Sequence, residues 1–136
     1  MIFIAAGTQD GRELTGRLLQ AGYSVIASVV SSYGEKLLAE YPGIRINDQP
    51  LDEEGLVSYL TEKNVALFVD ASHPYAANVS QNAMKACRRL SIPYIRYERQ
   101  SVPVAYEKVY VVENYDEAVK KAGALGKRIF LTTGSR

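Results

Sequence analysis

Cysteine is nearly absent: Cys87 stands alone, which excludes an internal disulfide or a cysteine-built metal cluster and fits a reducing compartment. Net charge is nearly absent too. Sixteen Lys and Arg oppose fifteen Asp and Glu, a formal balance of +1, which argues against a broad nucleic-acid footprint. The opening Met1-Ile2-Phe3-Ile4-Ala5-Ala6-Gly7 is too short to span a bilayer and lacks the basic lead-in of a signal peptide. The expected setting is the cytoplasm, with no membrane partner. Tryptophan is missing, and 3 phenylalanines stand against 10 tyrosines. Tyrosine serves both half-exposed packing and polar clefts around flat ligands. No repeat, low-complexity tract or internal linker interrupts the chain.

Apolar carbon, by contrast, is plentiful. Apolar residues fill 47% of the 136 positions and charged residues 23%, the profile of a folded domain rather than a disordered chain. Folding at this length removes about two-thirds of the unfolded surface from water, enough for a real core.

Short β-rich runs alternate with longer amphipathic segments. Ile2–Ala6 is a continuous apolar run, as in a strand buried on both faces. Gly7-Thr8-Gln9-Asp10-Gly11 turns the chain into a helix reaching about Ala21, with Leu14, Leu18 and Leu19 on one face and Gly22 as its stop. Tyr23–Val30 is the second expected strand, Gly34–Glu40 a short helix and Ile44–Ile46 a brief third strand. Asp52-Glu53-Glu54 suits the positive end of a helix dipole, and Leu56, Val57 and Leu60 face inward behind it. Val65–Val69 is the fourth strand and closes on Asp70. Val79, Ala83, Met84, Ala86, Cys87 and Leu90 recur at helical spacing, which places Cys87 in the core and lets Arg88-Arg89 offset the dipole in the last turn. Pro93–Tyr97 and Lys108–Val112 read as a fifth and a sixth strand, Asp116–Leu125 as a helix and Arg128–Thr132 as a last strand. This rhythm predicts a Rossmann-like, doubly wound α/β fold, a mostly parallel sheet with helices on both faces. The chain stops one turn past its last expected strand. That end suggests that residues 1–136 are a single α/β lobe from a longer protein.

Ligands of doubly wound sheets sit beyond the carboxyl ends of the strands. At the first such end, Gly7 permits a tight turn and Gly11 a close approach, while Thr8 adds a hydroxyl and Arg12 a positive charge. Helix-start amides attract phosphate. The spacing is G-x-x-x-G, neither the dinucleotide fingerprint nor a Walker loop, so a phosphate cradle and a purely structural turn both stand. The second strand ends in Val30-Ser31-Ser32-Tyr33-Gly34, with no acid before Glu35. Hydroxyls without a carboxylate tolerate a ribose 2′-phosphate, favouring NADPH over NADH, with Lys36 as a nearby charge; a helix-capping loop is the plainer alternative.

The lone histidine follows the fourth strand in Asp70-Ala71-Ser72-His73-Pro74-Tyr75-Ala76. An imidazole beside the Tyr75 phenol suits proton donation or anion binding, and an ordinary capping loop is the competing reading. Arg96 and Arg99 flank the fifth strand's end, where guanidinium groups grip carboxylates or make plain surface salt bridges. Tyr59 and Lys63 match the Y-x-x-x-K spacing of short-chain dehydrogenases on the wrong element, a chance match.

Together, Gly7-Thr8 with Gly11-Arg12, the Asp70–Ala76 stretch, Arg96 with Glu98-Arg99 and the terminal Leu131-Thr132-Thr133-Gly134-Ser135 resemble the precorrin-6A reductase family of cobalamin biosynthesis. The Asp-Ala-Ser-His-Pro-Tyr-Ala stretch is the most specific element, and the resemblance covers what looks like the family's N-terminal half, which implies that residues 1–136 are the nucleotide-binding N-terminal domain of a longer two-lobe enzyme. Gln100 stands where a proline often follows in the family. The resemblance implies an NAD(P)H-dependent oxidoreductase that reduces precorrin-6A or cobalt-precorrin-6A, a flat tetrapyrrole with many carboxylates. It implies that Gly7, Thr8, Gly11 and Arg12 hold cofactor phosphates and that Ser31, Ser32 and Tyr33 hold the adenosine ribose. His73 and Tyr75 would line the substrate region, and Arg96 and Arg99 would pair substrate carboxylates. No catalytic proton donor and no metal ligand is assigned. The alternatives are a noncatalytic nucleotide-binding α/β module and another NADP-dependent reductase lobe.

Overall fold

The computed structural model describes residues 1–29, 32–98 and 105–132, and for residues 32 and 33 the backbone alone. The chain divides into two compact units, Met1–Gln100 and Ser101–Arg136. The first contains β1 (Ile2–Ala5), α1 (Gln9–Gln20), β2 (Val25–Ser28), α2 (Ser32–Leu38), β3 (Arg45–Asn47), α3 (Glu53–Glu62), β4 (Leu67–Asp70), α4 (Ala77–Leu90) and β5 (Tyr94–Arg96). The strands form one sheet in the order β3-β2-β1-β4-β5, and every pairing is parallel. This is the doubly wound α/β sheet that the sequence pattern predicts.

Side chains alternate across each strand, and the alternation divides the core in two. Phe3, Ala5, Ile26 and Phe68 face Leu56 and Leu60 of α3 and Ala83, Ala86 and Cys87 of α4. Ile4, Val25, Ala27 and Val69 face the other way, against Leu14 and Leu18 of α1 and the buried Leu38 of α2. Each fully buried side chain of this size contributes about 1.5–3 kcal/mol. The Phe3 and Phe68 rings stack at 5.0 Å, and Tyr59 meets Phe3 edge-on at 5.9 Å. Side chains cap α1 and α3: Thr8 accepts the Gly11 amide and Asp52 the Gly55 amide.

The second unit contains α5 (Tyr115–Leu125), capped by Asn114, whose side chain accepts the Glu117 amide. Its described residues make no strand, so the expected sixth and seventh strands at 108–112 and 128–132 are absent there. A β-rich segment becomes a strand only with a ladder partner, and neither segment has one among the described residues. In the described residues, the first unit carries the five-stranded sheet and the second carries α5.

Candidate functional site

From β1 the chain winds outward through β2 to β3, and from β4 it winds the other way to β5. The reversal falls between β1 and β4, the position where doubly wound sheets bind ligands. The loops that follow these two strands carry Gly7-Thr8 and Ser72-His73-Pro74-Tyr75. Parallel pairing of Ala5 with Asp70 puts both loops at one edge of the sheet.

The two loops are stitched together. The Thr8 hydroxyl accepts the Gly11 amide at 3.0 Å and donates to the Ala71 carbonyl at 3.0 Å. At Gly11 a Cβ would lie 3.0 Å from both Ala6 Cα and Ala71 Cβ, so glycine lets α1 approach the β4 loop. Gly7 is exposed, and a Cβ there would find nothing nearer than Ser72 Cα at 3.9 Å. Its backbone is thus open to a ligand, while Gly11 is a packing residue. Arg12 is half-buried in the first turn of α1. A crevice of about 80 Å³ lies here, bounded by Thr8, Asp10, Ser72, Pro74, Tyr97 and Glu98. It brings the β1, β4 and β5 loops together and, at about 30 Å³ per water molecule, holds only a fragment of a large ligand. Two of its bounding residues, Asp10 and Glu98, are acidic, and Glu98 faces Arg96 Nε at 3.7 Å.

His73 and Tyr75 stand exposed on the crest, with ring centroids 5.2 Å apart. The Tyr75 amide donates to His73 Nδ1 at 3.3 Å, so the neutral ring carries its proton on Nε2. Beneath them Asp70 is fully buried. Its Oδ2 accepts the hydroxyls of Ser80 and Tyr94, each at 2.6 Å, and its Oδ1 accepts the Ser72 amide at 2.9 Å. Burial pushes the Asp70 pKa up, but the hydrogen bonds from Ser72, Ser80 and Tyr94 outweigh it and leave the carboxyl below its ordinary value. Burial, reinforced by the bond to Asp70, raises the Tyr94 phenol to about 12.

Arg96 turns inward onto Asp70, with Nη1 at 2.8 Å from Oδ1, instead of projecting from the crest. Ser32 and Tyr33 open α2, whereas Ser31 and Arg99 lie outside the described residues. Two polar groups that sequence reasoning passes over close the other end of the same edge. Asn47 of β3, nearly buried, donates to Ser28 Oγ at the end of β2, 3.0 Å away. The sequence signals neither, since Ser28 is followed by Val29-Val30 and Asn47 by Asp48 in an already mixed stretch. Ser28 brings a hydroxyl, not an acid, to the end of β2. Among the described residues, no group of three or more His, Cys, Asp or Glu side chains is arranged to hold a metal ion. No described helix is long and apolar enough to cross a membrane.

The profile of the precorrin-6x reductase family, CbiJ/CobK, matches residues 1–136. The chain belongs to this family. It is 38% identical to the cobalt-precorrin-6A reductase of Priestia megaterium over 136 residues, all of this chain and 53% of that protein. It is 30% identical to the precorrin-6A reductase of a Sinorhizobium species over 143 residues, covering 98% of this chain and 51% of that one. A solved structure, the CobK precorrin-6A reductase, superposes with a TM-score of 0.71 at 27% identity, over 88% of this chain and 46% of its own. The chain thus spans about half the length of the precorrin-6x reductases it matches.

Proposed function

We propose that this chain is the dinucleotide-binding lobe of an oxidoreductase that reduces precorrin-6A or cobalt-precorrin-6A in cobalamin biosynthesis, using NADPH with NADH as the lesser partner. One observation carries the reading: the exposed Gly7 turn and the His73 loop adjoin at the switch point of a doubly wound sheet, in a chain of the precorrin-6x reductase family. The residues present fit a dinucleotide. The open backbone at Gly7 and the first-turn amides of α1 suit a pyrophosphate. Arg12 adds charge beside them. Ser28 and the start of α2, without an acid at the end of β2, suit a ribose carrying a 2′-phosphate. When bound, the dinucleotide supplies the hydride. His73 and Tyr75 face the tetrapyrrole, Arg99 pairs one of its carboxylates, and the 136 residues constitute the N-terminal part of a two-lobe protein in the cytoplasm.

NADPH and NADH fluorescence titrations test this directly. NADPH should bind saturably and at least about tenfold more tightly than NADH. A His73→Ala protein should keep NADPH binding and lose its response to the tetrapyrrole. Absence of binding by either nucleotide would overturn the reductase reading and favour a noncatalytic module.

A further inference from the structure

Arg96 holds one residue of the crest from two sides. Nη1 donates to Ser72 Oγ at 3.0 Å and Nη2 to the Ser72 carbonyl at 3.1 Å, while Asp70 Oδ1 accepts the Ser72 amide at 2.9 Å. Amide, carbonyl and hydroxyl of Ser72 are thus all engaged by one ion pair, Asp70 with Arg96 at 2.8 Å. Nη1 also lies 3.5 Å from Ser80 Oγ, and Nε faces Glu98 at 3.7 Å. A bidentate grip on a carboxylate needs two parallel N–H bonds from one edge of the guanidinium. Here Nη1 and Nη2 are both directed onto Asp70 and Ser72. Asp70 itself is fully buried, and its two oxygens already serve Ser72, Arg96, Ser80 and Tyr94.

We propose that Arg96 and Asp70 are a positioning pair that clamps Ser72 and thereby fixes the backbone from which His73 and Tyr75 project. The functional meaning of the clamp rests on the reading of the crest as the ligand-binding edge; its geometry does not. Arg96 in this role never pairs a substrate carboxylate. Lysine cannot replace it, because a single ammonium cannot meet Asp70 and both Ser72 oxygens with a planar fork. Ser72 immediately precedes His73, so slack at Ser72 passes directly to the imidazole.

His73 is the only histidine of the 136 residues, so ¹⁵N-histidine labelling gives one pair of ring resonances. In the unaltered chain at high pH the two nitrogens should be widely separated, as the Tyr75 amide at Nδ1 selects one tautomer. Arg96→Gln and Arg96→Lys should each reduce that separation by at least half. Ser72→Ala, which loses one of the three contacts, should reduce it less. Asp70→Asn should match Arg96→Gln; if it fails to fold, the Arg96 and Ser72 variants decide. A lower melting temperature with the His73 resonances of the folded protein unchanged would make the pair merely structural and overturn the proposal. So would unchanged resonances accompanied by a loss of tetrapyrrole affinity alone, the signature of direct carboxylate pairing. NADPH titration of the unaltered chain stands apart from these outcomes. Resonances that respond to Arg96→Gln in a chain that binds no nucleotide would remove the reductase reading and leave the clamp intact.

Discussion

Asp70 keeps its charge in the core because four donors converge on it, and that makes its contribution dependent on pH. Its pKa lies below the ordinary 3.8, so the unfolded chain takes up the proton first. The stabilisation is complete above that ordinary value and is lost as pH falls through the lower folded value. Asp70→Asn should cost about 3 kcal/mol at neutral pH, since it leaves Arg96 without its buried partner. It should also flatten the acid limb in urea unfolding measured from pH 5 to pH 2. Variant and parent curves running parallel through that range would contradict the assignment. Tyr94 behaves oppositely. Its phenol rises from 10 to about 12, so its stabilisation is full below 10 and is lost as pH climbs toward the folded value. Tyr94→Phe should therefore remove part of the alkaline destabilisation seen in the parent chain between pH 9 and pH 11.

Among the elements, helix starts and close approaches decide which substitutions matter. In α1, Gly11→Ala should destabilise by about 1–3 kcal/mol, because its Cβ meets the Ala6 backbone and Ala71 at 3.0 Å and neither is a flexible side-chain tip. In α5, nothing lies within 4 Å of a Cβ at Gly123, and Gly123→Ala should stabilise that helix by about 0.5–1 kcal/mol. Chemical denaturation of the two variants checks both signs, and a stabilising Gly11→Ala would show that the α1–β4 contact is loose. Thr8→Val removes both a cap and the stitch to Ala71 and should cost about 1–2 kcal/mol, with weaker NADPH binding as its functional counterpart. Element by element, what local sequence determines was legible. Ile2–Ala6 and Val65–Val69 are short continuous apolar runs bounded by turn residues, the pattern of strands buried on both faces of a parallel sheet. The loops carrying Gly7 and His73 had to share an edge once the sheet was parallel. What depends on distant partners was not legible. Tyr94 reaches Asp70 across 24 residues of chain, and the β4–β5 register sets Arg96 beside the same carboxylate. The segments 108–112 and 128–132 have strand composition, but composition does not say whether a ladder partner is present.

Across the whole molecule, the two units differ in how well they bury their apolar side chains. The first encloses two cores, one on each face of its sheet. In the second, no α5 residue is buried, and Val111, Val119, Phe130 and Leu131 are exposed by 92%, 71%, 90% and 74%. An apolar cavity of about 870 Å³ opens among Val112, Tyr115, Ala118, Val119, Ala122 and Ile129 of that same unit. Apolar surface of this kind on a folded protein is normally covered by other protein, since leaving it in water forgoes about 25 cal/mol per Å². The precorrin-6x reductases matched here run to about twice this length. The 136-residue chain alone should therefore bind an apolar dye such as ANS while fully folded. Phe130→Ser combined with Leu131→Ser should cut the bound dye by more than half and leave the main melting transition in place, because neither side chain belongs to the two enclosed cores. Adding the second half of a relative as a separate polypeptide should suppress the dye signal of the unaltered chain and not that of the double variant. Dye binding that persists undiminished in the double variant would place the sticky surface elsewhere and remove the case for a covering partner at Phe130 and Leu131.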